Sequence, residues 1–309
     1  MNASTSAQHL VRPEDLPRGI SAVRLLPDSQ LDALWGSIIV KSEIKEQLLS
    51  QGILNFSLRT KVSRDKLPMH GVILLVGPPG TGKTTLARGL ASQLAHFMPR
   101  AKPRLVEVDP HALTSSAMGK TQRSVSELFS QTIAELASSG PTIVLLDEVE
   151  TLAADRSRMS LEANPVDIHR ATDAVLVQLD ALAERNPNIL FIATSNFPQA
   201  IDDAFTSRCD LVVEVPPPAQ EAVAQILEHC IDSLSEHFPA LAKIAKSKDL
   251  AKVAQACEGL DGRALRKMVV NAMAQSREVA ADPNKLTIDH LLSAAASAKA
   301  VRMQKGGAK

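Results

Sequence analysis

The sequence predicts an α/β protein in which a five-stranded parallel sheet, layered with helices, precedes a small domain made only of helices. Before residue 216, short apolar runs alternate with stretches of helical spacing, and this alternation is typical of a parallel sheet. Pro216, Pro217 and Pro218 then end the alternation, because proline lacks the N–H group that a central strand needs. Beyond these prolines every periodic stretch has helical spacing.

Five apolar runs predict the strands, and the run from Thr142 is apolar almost throughout, as expected for a strand covered on both faces. The predicted strands are 71–76, 105–108, 142–148, 188–196 and 211–215. Helical spacing predicts helices at 41–58, 85–97, 124–136 and 167–183, and then at about 219–235, 247–257, 261–281 and 287–300. Trp35–Val40 is predicted to be a short extended segment.

The predicted boundaries divide the chain into four parts. Residues 1–34 are mostly polar, contain three prolines and lack sustained periodicity, which predicts a flexible tail or a loosely docked arm. The sheet domain is predicted to occupy 35–216 and the helical domain 217–303. Residues 304–309 are predicted to be disordered.

The composition favours a cytoplasmic globular protein. Of 309 residues, 45% are hydrophobic and 22% are charged, and Lys+Arg and Asp+Glu both number 34. This balance provides no basic field for nucleic acid or an anionic membrane. Cys209, Cys230 and Cys257 lack metal-ligand spacing and are interpreted as reduced thiols. No run approaches the roughly 18 apolar residues of a membrane span, and the polar start differs from a signal peptide, so we expect no membrane partner.

A glycine-rich turn joins the first predicted strand to a helix, and it satisfies the phosphate-loop pattern G-x-x-x-x-G-K-[ST]. Glycines let consecutive N–H groups turn around a polyphosphate, and the following helix points its positive dipole end at the same anion. Lys83 is suited to reach the β- and γ-phosphates, and the Thr84 hydroxyl is suited to ligate Mg²⁺. A chance turn is disfavoured, because the strand before it and the helix after it are both predicted. The predicted nucleotide-binding residues of this turn are Gly77, Pro78, Pro79, Gly80, Thr81, Gly82, Lys83, Thr84 and Thr85.

Two adjacent apolar residues, Ile38 and Ile39, lie ahead of the phosphate loop in the sequence. Such a pair is suited to pack against the face of an adenine ring, and we include both residues among the predicted nucleotide contacts. The alternative, that they are ordinary core residues, is equally consistent with the sequence.

Polar side chains end two of the predicted strands. Asp147 and Glu148 follow the run from Thr142, and Asn196 ends the next run. In an open α/β sheet, ligands bind at the carboxyl ends of strands. We predict that Asp147 holds Mg²⁺ through water, that Glu148 polarises the water attacking the γ-phosphate, and that Asn196 orients this water or senses the γ-phosphate. Ordinary polar strand ends are the alternative.

Two arginines are the remaining candidates for stabilising charge in the transition state. Arg208 lies in the stretch Asp202–Asp210, and Arg263 follows Gly259-Leu-Asp-Gly. Considered singly, each is also compatible with a surface arginine.

Together, the phosphate loop, the Asp147–Glu148 pair, the polar strand end and the two arginines resemble the AAA+ ATPases. The resemblance implies an ATPase that uses ATP and Mg²⁺ and assembles into a ring, commonly a hexamer. It also implies that Arg208 reaches the nucleotide of the neighbouring subunit, and that Arg263 acts on the nucleotide of its own subunit.

Four stretches are similar to the pachytene-checkpoint (thyroid-receptor-interactor) branch, in its short bacterial form. They are Asp147–Arg156, Asp173–Asp180, Thr194–Phe205 and Gly259–Lys267. The resemblance covers roughly residues 35–275. It implies a ring that pulls the terminal segment of a HORMA-domain protein into its pore, partly unfolds it and switches its conformation, in antiphage systems that use cyclic-nucleotide signalling.

The segment that matches the central pore loop of this family departs from it, because Ser115–Lys120 contains no aromatic residue. Met118, Gly119 and Lys120 are the predicted pore-loop residues, and a flexible, polarizable methionine can still grip an extended peptide. A solvent-facing methionine without a role is the alternative.

Two further departures limit what carries over. About 35 residues stand where the eukaryotic members have a large substrate-binding domain. Leu211 stands where many AAA proteins carry a second arginine, so that Arg208 alone is predicted to be the finger.

Two rival functions are an AAA+ core that acts on nucleic acid and a nucleotide-gated scaffold that does not hydrolyse ATP. The balanced charge and the lack of a basic stripe argue against the first. The scaffold is disfavoured because all candidate catalytic and binding residues are present. They are Lys83, Thr84, Asp147, Glu148, Asn196 and Arg208.

Overall fold

A computed structural model describes residues 15–113, 120–152 and 165–306. Within these residues the strands form one six-stranded sheet. The strands are Ile20–Leu25 (β1), Val72–Val76 (β2), Arg104–Val108 (β3), Thr142–Leu146 (β4), Ile189–Ser195 (β5) and Leu211–Glu214 (β6). Their order is β1-β3-β4-β5-β2-β6, and all neighbours are parallel except β1 and β3. The α/β class with five parallel strands is confirmed, and β1 is the strand that the sequence analysis misses.

The helices of the sheet region connect these strands. They are Ser29–Ser37 (α1), Ser42–Leu58 (α2), Lys83–His96 (α3), Pro110–Leu113 (α4), Lys120–Glu127 (α5), Ala134–Ser138 (α6), Pro165–Arg185 (α7) and Asp203–Thr206 (α8). A π-helical segment, Leu128–Ile133, joins α5 to α6, so that the helix predicted at 124–136 is one part of a longer helical stretch.

The chain divides into two compact units. The first includes the chain up to Gly36 and then 41–77 and 83–214, whereas the second includes 37–40, 78–82 and the chain from Val215 onward. The phosphate-loop residues 78–82 thus group with the helical region, and Lys83 groups with the sheet.

The core of the first unit is centred on the sheet. Every residue of β2, β4 and β5 is buried, as expected for central strands with both faces covered. Phe191 of β5 stacks on Phe129 of the π-helical segment, with 5.9 Å between the ring centroids. Burial of this apolar surface fixes the register, because a shift of one residue would exchange the two faces of every strand.

The register of the sheet brings four strand ends to one edge. Val76 of β2 pairs with Ser195 of β5, Leu146 of β4 pairs with Ala193, and Val108 of β3 pairs with Leu146. The residues that follow β2, β3, β4 and β5 therefore emerge beside one another. This edge is where the sequence analysis expects the ligand.

The N-terminal segment is the largest difference from the predicted structure. β1 pairs antiparallel with β3, with Leu25 opposite Arg104, and α1 follows it. The Asp28 carboxylate accepts a hydrogen bond of 2.8 Å from the Gln30 N–H and starts this helix. The flexible tail predicted for 1–34 is therefore wrong over β1 and α1, and the extended segment predicted at Trp35–Val40 is wrong over Trp35–Ser37.

The second unit is helical among its described residues. Its helices are Gln220–Ser235 (α9), Leu241–Ala245 (α10), Leu250–Ala256 (α11), Gly262–Met273 (α12), Arg277–Ala281 (α13) and Ile288–Gly306 (α14). The helix predicted at 261–281 is two helices, because the Ser276 hydroxyl accepts a hydrogen bond from the Val279 N–H and begins α13. Since α14 reaches Gly306, the disorder predicted from residue 304 is wrong over its first three residues.

None of the described helices combines the length and the apolar character that crossing a bilayer requires.

Candidate active site

Lys83 is the first residue of α3 and points back into the phosphate loop. Its side chain is buried, and its Nζ donates hydrogen bonds of 2.8 Å to the Gly77 carbonyl oxygen and of 2.8 Å to Asn196 Oδ1. A buried ammonium group needs such partners. The loop lysine is therefore held at the sheet edge, where an anion could replace one of these oxygens.

Two loop glycines adopt backbone conformations that side chains disfavour. Gly80 has φ +84° and Gly82 has φ +94°. A Cβ atom at Gly82 would lie 2.7 Å from Ile38 Cδ1, and one at Gly80 would lie 2.2 Å from Asp261 Oδ1. Only glycine fits at these positions, which leaves the loop N–H groups accessible to a phosphate.

Thr84 and Asp147 offer two adjacent oxygens at the same edge. Thr84 Oγ1 donates a hydrogen bond of 2.8 Å to Asp147 Oδ1, and the Thr194 hydroxyl donates to the same oxygen. Among the residues that the structure describes, no group of three or more His, Cys, Asp or Glu is arranged to hold a metal ion. Hydroxyl and carboxylate oxygens fit Mg²⁺, which binds through one or two protein ligands and completes its shell with waters and phosphate oxygens.

Glu148 has a strained backbone and an accessible carboxylate. Its φ of +52° lies in the left-handed region, which costs about 1–3 kcal/mol for a residue other than glycine. The Glu148 N–H donates a hydrogen bond of 3.2 Å to Thr194 Oγ1, and this bond holds the turn against β5. The side chain is half exposed. Its carboxylate lies at the sheet edge, where Glu148 and Asp147 line the same cavity.

Asn196 connects the lysine to the glutamate. Its Oδ1 accepts from Lys83 Nζ at 2.8 Å, and its Nδ2 donates to Glu148 Oε1 at 3.2 Å. Its backbone N–H donates to Glu150 Oε1 at 3.1 Å, which fixes the turn after β5. The amide thus links the phosphate-loop cation to the candidate base through opposite ends of one side chain.

Arg208 is bound elsewhere in the first unit. Its Nη2 lies 2.8 Å from Asp180 Oδ2, its Nε lies 3.1 Å from Asp180 Oδ1, and its Nη1 donates to the Ala204 carbonyl oxygen. Three quarters of the side chain is buried. Within the described part of the chain, the structure does not bring Arg208 to Lys83 or Glu148.

Asp180 binds further basic groups as well. Arg64 Nη2 lies 2.9 Å from Asp180 Oδ1 and also contacts His70 Nε2, which is 3.2 Å from the same oxygen. Partial burial raises the pKa of Asp180, but hydrogen bonds from Arg208 and Arg64 outweigh burial and lower it. Burial, and then the charge of Arg64, lower the pKa of His70. We call Arg64, His70, Asp180 and Arg208 the Asp180 cluster.

The second unit holds the predicted adenine contacts. Ile38, Ile39, Gly80 and Gly82 line one cavity within this unit. Ile38 is buried, and Ile39 packs against the helical core. These contacts are also consistent with the alternative that both are ordinary core residues. The structure places both isoleucines beside the phosphate loop, and their role in binding stays a prediction.

Arg263 is tied to the phosphate loop through its backbone. Its N–H donates to the Gly80 carbonyl oxygen at 3.3 Å and to Asp261 Oδ1 at 3.0 Å, and its side chain is exposed. Arg266, one turn later, lines the cavity with the isoleucines and donates to the Ser37 carbonyl oxygen at 3.0 Å. Sequence reasoning misses Arg266, although its spacing of three from Arg263 places both on one helix face.

Of the predicted pore-loop residues, Met118 and Gly119 lie outside the described residues, and Lys120 is the first residue of α5.

Comparison with known proteins identifies the family of this chain. A sequence model of the ATPase family associated with various cellular activities (AAA) matches residues 73–217. CD-NTase-associated protein 6 of Pseudomonas aeruginosa is 62% identical over 291 residues, which are 94% of this chain and 96% of that protein. The chain belongs to the AAA ATPases. It therefore has a nucleotide-binding site and is an enzyme that hydrolyses ATP.

One further relative is named for the branch that the motifs indicate, and one solved structure shares the fold. The Pachytene checkpoint protein 2 homolog of Arabidopsis thaliana is 34% identical over 278 residues, and the match covers 79% of this AAA ATPase and 59% of that relative. A solved structure of an E. coli MS115-1 HORMA:CdnC:Trip13 complex has the same fold, with a TM-score of 0.73 at 17% identity, covering 89% of this chain and 94% of that one.

Proposed function

We propose that this ATPase remodels a HORMA-domain protein in a bacterial antiphage system that uses cyclic-nucleotide signalling. The proposal is supported by the name of its 62% identical relative, a CD-NTase-associated protein, and by the likeness of its fold to a chain of a HORMA:CdnC:Trip13 complex. Hydrolysis would drive a ring that draws a terminal segment of the HORMA-domain protein into its pore and partly unfolds it.

The observation that carries the enzymatic part is the link from Lys83 through Asn196 to Glu148. Lys83 binds the β- and γ-phosphates, and Glu148 accepts a hydrogen bond from the attacking water and polarises it. When the γ-phosphate takes Lys83 away from Asn196, the amide is left bound to Glu148 alone. Asn196 therefore reports phosphate occupancy to the base.

The ligands of this reaction are ATP and Mg²⁺. Thr84 and Asp147 hold the cation, because their oxygens already lie together at the sheet edge. Mg²⁺, when bound, neutralises charge on the phosphate oxygens. The phosphate loop, with Pro78, Pro79, Thr81 and Thr85, surrounds the phosphates, and the Ile38–Ile39 pair contacts the base.

The two arginines act in an assembled ring, which we propose to be a hexamer. Arg208 stabilises transition-state charge on the nucleotide of a neighbouring subunit, and Arg263 acts on that of its own. The support for Arg208 is its attachment to Asp180 rather than to residues of its own site.

The work required of the ring is modest. Drawing in a terminal segment needs only local opening of the partner. The free energy of this opening is below that of unfolding a whole domain, which is about 5–15 kcal/mol. Met118, Gly119 and Lys120 are proposed to grip this segment. We place the ATPase in the cytoplasm, in agreement with its free cysteines, Cys209, Cys230 and Cys257.

A trapping experiment tests the partner. The Glu148→Gln protein, held in ATP, is incubated with native lysate, and the retained proteins are identified by mass spectrometry. We expect the Glu148→Gln protein to retain a HORMA-domain protein in ATP and to lose it in ADP. The wild-type protein, given ATP and Mg²⁺, should release it. Retention of nucleic acid, or of nothing that depends on ATP, would contradict the proposal.

A second experiment tests the grip. We expect Met118→Ala to lose remodelling of the retained partner and to keep basal ATP turnover, whereas Met118→Phe keeps both. Met69→Ala, on the sheet unit, serves as the matched control. Full remodelling by Met118→Ala would remove this residue from the pore loop.

A further inference from the structure

A histidine that sequence reasoning misses lies beside the candidate base. β3 ends at Val108, opposite Leu146, so the residues after β3 emerge next to Asp147 and Glu148. There, His111 Nε2 lies 3.6 Å from Glu148 Oε2. A cavity of about 190 Å³ is lined by residues that include His111, Asp147 and Glu148.

The backbone around His111 is well fixed. The His111 N–H donates a hydrogen bond of 2.9 Å to Asp109 Oδ1, which closes the turn after β3. Leu113, two residues later, is buried in the core of the first unit. The His111 backbone thus lies between a hydrogen-bonded turn and a buried leucine, and its side chain is 68% exposed.

The Glu148 carboxylate has a nitrogen at each of its two oxygens. Asn196 Nδ2 is 3.2 Å from Oε1, and His111 Nε2 is 3.6 Å from Oε2. Contacts at both oxygens restrict rotation of a half-exposed side chain that would otherwise sample several rotamers. Because 3.6 Å is longer than a direct hydrogen bond, His111 would act on the carboxylate through one bridging water, which leaves the other lone pairs of Glu148 for the attacking water.

We propose that His111 is a positioning residue for Glu148. It holds the carboxylate from the side opposite Asn196, so that the free lone pairs face the attacking water. This inference rests on the proposed role of Glu148 in hydrolysis. The site then has three such groups, each after a different strand: His111 after β3, Glu148 after β4 and Asn196 after β5.

Three substitutions of one residue test the proposal. In His111→Ala we expect ATP turnover to fall about tenfold, with KM and nucleotide affinity unchanged, because misplacement of a reacting group affects the chemical step. His111→Gln should restore most of the turnover, since its Nε2 reaches the place of the imidazole Nε2. His111→Asn is too short and should remain as slow as His111→Ala.

A matched control and a double variant complete the experiment. His96→Ala removes an exposed imidazole that is paired with Asp32 at 3.1 Å, and it should leave turnover unchanged. In a Glu148→Gln background, His111→Ala should cause no further loss of the residual turnover. Melting temperatures of all variants report whether the fold is kept.

The inference is overturned if His111→Ala turns over like wild type, if the Gln and Asn variants are equally slow, or if KM rises in parallel with the loss of turnover. If His111→Ala does not fold, the ATP turnover of His111→Gln relative to that of His111→Asn decides whether His111 positions Glu148. Equal turnover by wild type and Glu148→Gln is a different result, because it would remove Glu148 from the mechanism and the inference with it.

Discussion

Two carboxylates of the sheet unit, Glu148 and Asp180, are held in opposite ways. The partners of Glu148 lie at 3.2 and 3.6 Å and are an amide and an imidazole. Those of Asp180 include two guanidinium groups at 2.8 and 2.9 Å. Charge-assisted bonds of that length make Asp180 a permanent anchor, whereas Glu148 keeps lone pairs for a water. Of the two, Glu148, the more loosely held carboxylate, is therefore the one suited to chemistry.

The charged groups around Asp180 also differ from the amide and the imidazole around Glu148. Asp180 is shared by two guanidinium groups, those of Arg64 and Arg208, and the carboxylate of Asp210 acts on His70 beside them. An arginine that shares a carboxylate with a second arginine retains attraction for a further anion. The Asp180 cluster is therefore suited to present Arg208 to a phosphate that its own site does not supply.

The largest expected effect concerns the loosely held carboxylate. Glu148→Gln should lower ATP turnover about 10³-fold and leave ATP affinity unchanged, because the amide cannot polarise water. Lys83→Ala should instead abolish binding. Turnover assays and a fluorescent-nucleotide titration measure the two effects, and Glu43→Gln, at an exposed position of α2, is the control. Equal ATP affinity of Lys83→Ala and wild type would contradict the assignment of the lysine.

Arg208→Ala should lower turnover of the assembled protein about 10²-fold, because one cationic donor to the transition state is lost. A mixing experiment tests whether Arg208 and Glu148 act together across a subunit interface. Arg208→Ala and Glu148→Gln are each slow alone, and their mixture should regain activity at interfaces that combine an intact arginine with an intact glutamate. Mixtures as slow as the separate proteins would exclude action between subunits.

Asp180→Asn should have a smaller effect, a loss of about tenfold in turnover with unchanged ATP affinity, since Arg208 keeps its charge and loses its orientation. Glu184→Gln, on the exposed side of the same helix, is the matched control. A variant of Asp180 that turns over like wild type would show that Arg208 needs no anchor.

The smallest expected effect is on stability. The folded protein holds the pKa of His70 below its usual 6.5, chiefly by burial, so the unfolded chain takes up a proton first as the pH falls. This contribution to stability is complete above about pH 6.5 and is lost as the pH falls through the folded pKa. The melting temperature of wild type should therefore drop by a few degrees more between pH 7.5 and 5.5 than that of His70→Gln. Parallel curves would contradict the lowered pKa.

The strand-end part of the site follows from the sequence for a simple reason. Asp147 comes directly after one apolar run, Asn196 ends another, and Lys83 follows the glycine-rich turn after a third. Parallel strands bring their carboxyl ends together. Local patterns therefore sufficed to predict their proximity. Their hydrogen bonds, and above all the link through Asn196, depend on rotamers that no spacing specifies.

The remaining parts depend on tertiary contacts. Arg64, Asp180 and Arg208 are far apart in the sequence and lie on three elements, and His111 is recognised only once β3 is known to adjoin β4. β1 was missed because the prolines at 17 and 27 resemble loop signals and because its partly exposed residues lack strict alternation. Asp28, which caps α1, was the available signal for the helix that follows.

The antiparallel strand β1 also has a consequence for the handling of the protein. By pairing with β3, residues 20–25 occupy backbone groups that would otherwise form an open sheet edge. A version shortened to start at the phosphate-loop domain would uncover β3, whose five residues are almost entirely buried and apolar apart from Arg104 and Glu107. Such an edge recruits strands from other molecules, so expression variants should begin before Ile20 if they are to remain free of aggregates.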